Sequence, residues 1–350
     1  MPSFWDWPQD MPAGLDRGLR RLTNSPSDIA EDVRRRSESE RDGMSATIAA
    51  VANLKGGVGK STTTLMLADG LAYYYGAEVL VVDLDPQANS SQMLLTDRGL
   101  QMAFEQGKGV HHLLEQFMAN EPPNIANLVL PNAVTLEELR RAEEKDARSG
   151  WVSILPAHTQ LRFTEMELEE KIYANGMAPS QLAGRLADHI GKALEPLTTL
   201  YDVILIDTPP YLSPVARAAL SIATQYITPT LADSVSIWGT KQFSDWMTSQ
   251  ITPHLASRNF VVITRFKNTR YARAAETELK EIYLKDRTFG PTIPESVQAL
   301  SAMDRPDLDS YNTMRGKYGR LRTEVKRLAE SYAEFLAKRN DSPPPKRVRD

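Results

Sequence analysis

Apolar residues in this chain fall into short blocks of branched side chains, separated by longer stretches with helical spacing. Residues 47–52, 78–85, 151–157, 201–207, 225–230 and 260–266 read as strands, and 289–296 as a final strand with its loop. Blocks such as Val79-Leu80-Val81-Val82 and Val203-Ile204-Leu205-Ile206 have no polar face. A strand of that kind is covered by helices on both sides, which is the situation in a parallel sheet. Between the strands, residues 63–75, 164–173, 180–197 and 236–251 carry helical patterns. Leu321, Val325, Leu328, Tyr332 and Phe335 place a core-facing stripe on a last helix. The alternation predicts one doubly wound α/β domain over residues 46–338, a mostly parallel sheet flanked by helices, with its ligand site at the carboxyl ends of the strands.

Composition narrows the chemistry. The chain has 350 residues and no cysteine, which excludes disulfides, thiolate zinc sites and cysteine-held iron–sulfur clusters. No apolar run is long enough to cross a bilayer, and the N-terminus lacks the basic and apolar regions of a secretory signal. The cytoplasm is the expected compartment. Net charge is −4, yet residues 258–340 hold 17 Lys and Arg against 11 Asp and Glu. A local basic surface is therefore available on an acidic protein, since screening confines attraction to about 8–10 Å.

One stretch carries specific chemistry. After the first strand comes Lys55-Gly56-Gly57-Val58-Gly59-Lys60-Ser61-Thr62, and a helix follows. Glycines let backbone N–H groups turn in around phosphate oxygens, and the helix N-terminus adds its dipole at the same point. Lys60 supplies a charge to the β- and γ-phosphates, and the Ser61 hydroxyl can ligate Mg²⁺. The pattern departs from G-x-x-x-x-G-K-[ST] in one respect. Leu54 stands where the leading glycine belongs, and a second lysine, Lys55, precedes Gly56.

With that lysine, the loop resembles the deviant Walker A loop of the ParA/MinD family of P-loop ATPases, closest to ParA-type partitioning ATPases. Asp83-Leu84-Asp85-Pro86-Gln87-Ala88-Asn89 is similar to the family's second box, with alanine for its glycine. Val203-Ile204-Leu205-Ile206-Asp207-Thr208-Pro209-Pro210 is similar to its Walker B strand and switch-like turn. The resemblance implies ATP and Mg²⁺ as ligands. It implies that Lys55 reaches across a dimer interface to the partner's nucleotide and that Asp85 is needed for hydrolysis, with Asp83 structural. Ser61, Asp85 and Asp207 are then the metal-side residues. Lys55, Gly56, Gly57, Val58, Gly59, Lys60, Ser61, Thr62 and Asp207 surround the phosphates, and Thr264, Arg265 and Pro294 lie toward the base. The helix over 236–251 contributes to a dimer face. Non-specific DNA binding is implied for scattered basic residues, here Arg270, Arg273, Lys280, Arg315 and Arg320, with Lys317 in the same region. A stimulating partner of ParB type or a cargo adaptor is implied as well, as is nucleoid association.

Other segments are less specific. Residues 1–45 form an N-terminal extension with Phe4, Trp5 and Trp7 among prolines. They read either as a docking peptide or as an arm packed on its own domain. Residues 120–150 read as a charged, decorating insertion, and 339–350 as a disordered basic tail. His111 and His112 are adjacent and so cannot share a helix face, which favours a surface or packing role over a metal site. A rival reading from another class is a nucleotide-gated scaffold that recruits a membrane or secretion apparatus without DNA. A metabolic ATP-dependent ligase of related fold would need a small-molecule pocket for which no motif is present.

Overall fold

The computed structural model describes residues 46–133, 136–139, 150–174, 176–297, 312–339, 345 and 347–349. The 1–45 extension lies outside the described residues. Seven strands form one sheet: β1 (Thr47–Val51), β2 (Glu78–Asp83), β3 (Trp151–Leu155), β4 (Val203–Asp207), β5 (Gln225–Thr230), β6 (Asn259–Ile263) and β7 (Thr288–Phe289). Their order is β3-β2-β4-β1-β5-β6-β7, and every strand pair runs parallel. The predicted doubly wound fold is the observed one. The last strand is shorter than its pattern suggests: after Gly290 the ladder is interrupted, and the chain rejoins β6 where Ile293 N–H donates to Ile263 O and Phe266 pairs with Pro294.

The helices are α1 (Lys60–Tyr75), α2 (Asn89–Glu105), α3 (Val110–Met118), α4 (Gln160–Ala174), α5 (Pro179–Leu194), α6 (Pro214–Ile222), α7 (Ser234–Gln250), α8 (Leu255–Arg258), α9 (Arg270–Glu278), α10 (Met314–Tyr318) and α11 (Arg322–Arg339). The central helix, α1, has no exposed residue, because the sheet covers one side and α11 the other. A Cβ on Gly70 would lie 3.0 Å from the Ala329 side chain, so the two helices meet at that glycine. All five residues of the predicted α11 stripe are buried, and Tyr332 and Phe335 meet Phe260 of β6 edge-on or tilted.

Two segments differ from their composition. In the 120–150 insertion, Ile125, Leu128, Val129 and Leu130 are buried, and Leu130 exchanges backbone hydrogen bonds of 2.7 and 2.9 Å with Ile154. The first half of the insertion thus caps the edge strand β3, which blocks further strand pairing there. Its charged part, 140–149, lies outside the described residues. The prolines and charges of the tail predict disorder. Among its described residues, Val348 N–H donates to Tyr74 O (2.8 Å), the Arg349 guanidinium stacks on the Tyr73 ring and Arg347 pairs with Glu330. An arginine packs through its planar face and stem, so a basic segment can still dock on an aromatic helix end.

Candidate functional site

The strand register places the site. Val51 at the end of β1 is level with Asp207 at the end of β4, and Asp207 is level with Asp83 at the end of β2. Three loops therefore open at one edge of the sheet, next to each other.

The loop after β1 is anchored before it turns. Buried Asn53 donates to Pro229 O (2.9 Å) and Thr240 Oγ1 (3.2 Å), and its Oδ1 accepts the Lys55 N–H (3.1 Å). Gly57 (φ 73°) and Gly59 (φ 82°) then take left-handed backbone conformations, which side chains resist. A Cβ built on Gly56 or Gly57 would meet nothing within 4 Å, so the inner face of the turn is an open cradle. The cradle ends at the first turn of α1, where Lys60, Ser61 and Thr62 stand beside helix N–H groups that have no partner within the helix. Lys60 is only 7% exposed. Burial lowers its pKa, while Asp207 and Asp85 pull it back up. From the far side, Thr264 Oγ1 donates to Val58 O (2.7 Å), and Arg265 Nη1 donates to Gly57 O (3.2 Å).

The carboxylates divide by environment. Asp83 is fully buried, and both its oxygens are occupied. Oδ2 accepts from Ser91 Oγ (2.7 Å) and Ser91 N–H (2.9 Å), and Oδ1 accepts from Asp85 N–H (3.1 Å). It clamps the start of α2 to the strand end. Asp207 is equally buried, and its Oδ2 accepts from Ser90 Oγ at 2.7 Å. Its Oδ1 is buried without a hydrogen bond. Burial pushes Asp207 up to about 6, against the hydroxyls of Ser61 and Ser90 and the charge of Lys60. A buried carboxylate oxygen without a partner, beside a serine hydroxyl and a lysine, fits a divalent cation shared with phosphate. Among the described residues no three His, Cys, Asp or Glu side chains converge on a metal site. That suits Mg²⁺, which keeps water and phosphate oxygens in its shell and needs few protein ligands. Asp85 lies past the strand end, with Oδ1 accepting the Gln87 N–H at 3.0 Å; burial raises its pKa, and Lys60 lowers it. The turn closes through Ala88, at φ 54°, a region that glycine occupies at lower cost.

The residues expected near a base do two things. Thr264 braces the loop, since its hydroxyl is committed to the Val58 and Thr230 carbonyls. Arg265 (φ 49°) and Lys267 converge on Glu295, next to Pro294, and form a charged lip beside Gly57.

Lys55 is not in the cradle of its own chain. Its ammonium is held by Asp233 and Ser236 at the start of α7, a contact that the sequence does not announce. Of the basic residues, Arg270, Arg273, Arg315 and Arg320 are exposed, and Lys280 is paired with Glu276 (2.8 Å). Lys317 corrects its expectation: it is 1% exposed and bonded to Asp69, so it has no surface to offer. His111 is buried, and Phe104 lies between it and His158, so those rings belong to an aromatic cluster.

Sequence reading also missed Glu165 on α4. It is 2% exposed and accepts from Ser213 Oγ (2.8 Å) and Tyr211 Oη (3.4 Å), fastening α4 to the turn that follows Asp207. Burial pushes its carboxyl up to about 7. The unfolded chain ionises near the ordinary value of 4.5 while the folded chain keeps its proton. Stability is therefore full below that pH and falls as pH rises toward 7, by about 3 kcal/mol from this group. Urea unfolding of wild type and Glu165→Gln across that range should show a stability difference that changes by this amount; parallel curves would refute the assignment.

A glycine cradle at a helix N-terminus, with lysine and strand-end aspartates at the carboxyl edge of a parallel sheet, defines a P-loop nucleotide-binding protein. A family described as "AAA domain" matches residues 46–257. The chain is 30% identical to the chromosome-partitioning ATPase Soj of Thermus thermophilus, covering 72% of this chain and 83% of that protein. It is 28% identical to the chromosome partitioning protein ParA of Myxococcus xanthus, with 72% and 76% covered. Among solved structures, the ATP complex of a Cyanothece McdA variant superimposes with a TM-score of 0.61 at 19% identity, over 84% of this chain and 98% of that one, which supports the fold. The chain belongs to this AAA-domain family of P-loop ATPases, within its ParA/Soj group.

Proposed function

We propose that this chain is an ATP-dependent dimerisation switch that binds DNA without sequence preference and uses ATP hydrolysis to partition or position a cargo. The carrying observation is the different placement of two lysines, and the reading gives each its own role. Lys60 is buried beside the cradle, close to Asp207 and Asp85, and serves the chain's own phosphates. Lys55 is partly exposed at the mouth, is engaged from the start of α7 among the described residues, and on this reading serves a second copy. Leu54, Val235 and Trp238 are exposed on the same two elements, an apolar surface that closure would cover.

Ser61 and Asp207 would hold Mg²⁺, which when bound neutralises charge on the β- and γ-oxygens. Lys60 and the loop amides orient the triphosphate. Asp85 positions the attacking water, and Lys55 of the facing protomer offsets charge as the bond breaks. Closing two protomers brings two sets of exposed arginines together, so DNA is held by both at once. Hydrolysis opens the pair and releases it. That the relatives' names include chromosome partitioning supports a DNA cargo.

The test is plasmid DNA retention with Mg²⁺–ATP, with ADP and without nucleotide, at 50 and 200 mM salt. Retention should require ATP and fall by about a thousandfold or more between those salts if six or more phosphates are contacted. Binding that ignores nucleotide, or none with ATP at low salt, would overturn the DNA part and leave the scaffold reading.

A further inference from the structure

The chain that leaves β4 after Asp207 forms an arch between two pins. At its start, Thr208 is tied to β1, since its N–H (3.3 Å) and its hydroxyl (2.9 Å) both donate to Val51 O. At its end, Ser213 caps α6: its Oγ accepts the Ala216 N–H (3.2 Å) and donates to Glu165 Oε1 (2.8 Å). Pro209 and Pro210 stiffen the span between the pins, because each ring fixes its own φ. Tyr211 follows them. Its hydroxyl donates to Glu165 Oε2 and accepts from Arg162 Nη1, both at 3.4 Å, and the Arg162 guanidinium lies over its ring.

Glu165 therefore holds the arch at two points, closely at Ser213 and loosely at Tyr211. It does so from α4, which Leu161 and Leu168 already fasten to the core. Apolar packing would anchor that helix without the cost of burying a carboxyl. What the carboxyl adds is direction, with one oxygen aimed at each of two arch residues. The arch in turn faces the reaction side. Burial, and then the charges of Glu165 and Asp85, push the Tyr211 phenol up to about 12 against the pull of Arg162. Tyr211 thus stands within electrostatic reach of Asp85 and keeps its proton at neutral pH. The cradle is braced separately, by Asn53, Thr264 and Arg265.

We propose that Glu165 is a positioning residue for ATP hydrolysis: by holding Ser213 and Tyr211 it fixes the arch after Asp207, and with it Tyr211, relative to Asp85. This rests on the reading of Asp85 as the residue that acts on the water. Glu165 acts through the arch, so its loss slows the chemical step and leaves nucleotide binding in place.

The experiment is single-turnover hydrolysis of Mg²⁺–ATP by excess full chain, paired with calorimetric ATP binding, at a temperature where circular dichroism shows each variant folded. Glu165→Ala should hydrolyse about ten- to a hundredfold more slowly, the size expected when a reacting group is misplaced by up to about an ångström. Its ATP affinity should stay within about threefold of wild type. Glu165→Gln keeps an acceptor for Ser213 and should recover to within about threefold of the wild-type rate, which loss of packing alone does not explain. Tyr211→Phe should be slowed as well, and adding it to Glu165→Ala should cost little more, because both act through one contact. Tyr211→Phe also serves as the second variant if Glu165→Ala folds poorly. Wild-type rates in folded Glu165→Ala or in Tyr211→Phe, or a parallel loss of affinity and rate that Glu165→Gln does not repair, would overturn the assignment. Asp85→Ala is run alongside: wild-type turnover there would sink the underlying reading of Asp85, whereas slow turnover there with fast turnover in the arch variants removes only the role of Glu165.

Discussion

Asp85→Ala should bind ATP with an affinity within about threefold of wild type and lose hydrolysis by a factor of about 10² to 10⁴. The carboxyl lies just past the end of β2, 6% exposed, close enough to Lys60 for the ammonium to lower its pKa. Burial acts in the opposite sense and raises it. A carboxylate with a raised pKa is a better proton acceptor, and in the proposed cycle this one acts on the attacking water. It does not brace the loop in the way Asp83 does, since it accepts from Gln87 N–H within its own turn. Truncation therefore removes chemistry and leaves the cradle standing. Steady-state phosphate release together with calorimetric ATP binding checks both halves. Turnover within about threefold of wild type would show that Asp85 does not act on the water.

Lys317→Ala should cost about 3–5 kcal/mol of stability, the largest effect expected from a single truncation away from the nucleotide. Lys317 Nζ and Tyr318 Oη both meet Asp69 Oδ2, at 2.6 and 2.7 Å, and all three residues are buried. Asp69 Oδ1 has no hydrogen-bond partner, so the ammonium is the main compensation for that charge. Removing it strands a carboxylate between α1 and α10. Thermal unfolding should shift down by roughly 5–8 °C for a domain of this size. The paired change Asp69→Asn with Lys317→Met should recover most of the loss, because the uncompensated charge is gone. An unchanged midpoint in Lys317→Ala would mean that the buried pair contributes nothing. DNA retention by the folded fraction should be unaltered, in contrast to Arg315→Ala or Arg320→Ala at the surface.

The phosphate side of the site was legible in the sequence because its parts are contiguous. A strand, three glycines, a lysine and a serine follow one another, and backbone geometry alone brings them to one point. The carboxylates were legible for a related reason: each ends an apolar strand, and parallel register aligns strand ends. What stayed hidden depends on distant partners. Lys55 meets Asp233, 178 residues away in the chain, because β1 and β5 are neighbours in the sheet. Lys317 looks like its exposed neighbours Arg315 and Arg320 until α1 presents Asp69 to it. The charged composition of the 120–150 insertion masked Ile125 and Leu130, which pack on the sheet edge. Glu165 carries no local signal at all, being one glutamate on a charged helix that faces Ser213 only in the folded chain.

The central claim is that Lys55 works for the neighbouring protomer. Sedimentation velocity of Asp85→Ala with Mg²⁺–ATP, in which dimers should accumulate for want of hydrolysis, tests it against the same variant carrying Lys55→Ala. The account predicts a species of twice the chain mass for the first and a monomer that still binds ATP for the second. Equal dimer formation by both would contradict it.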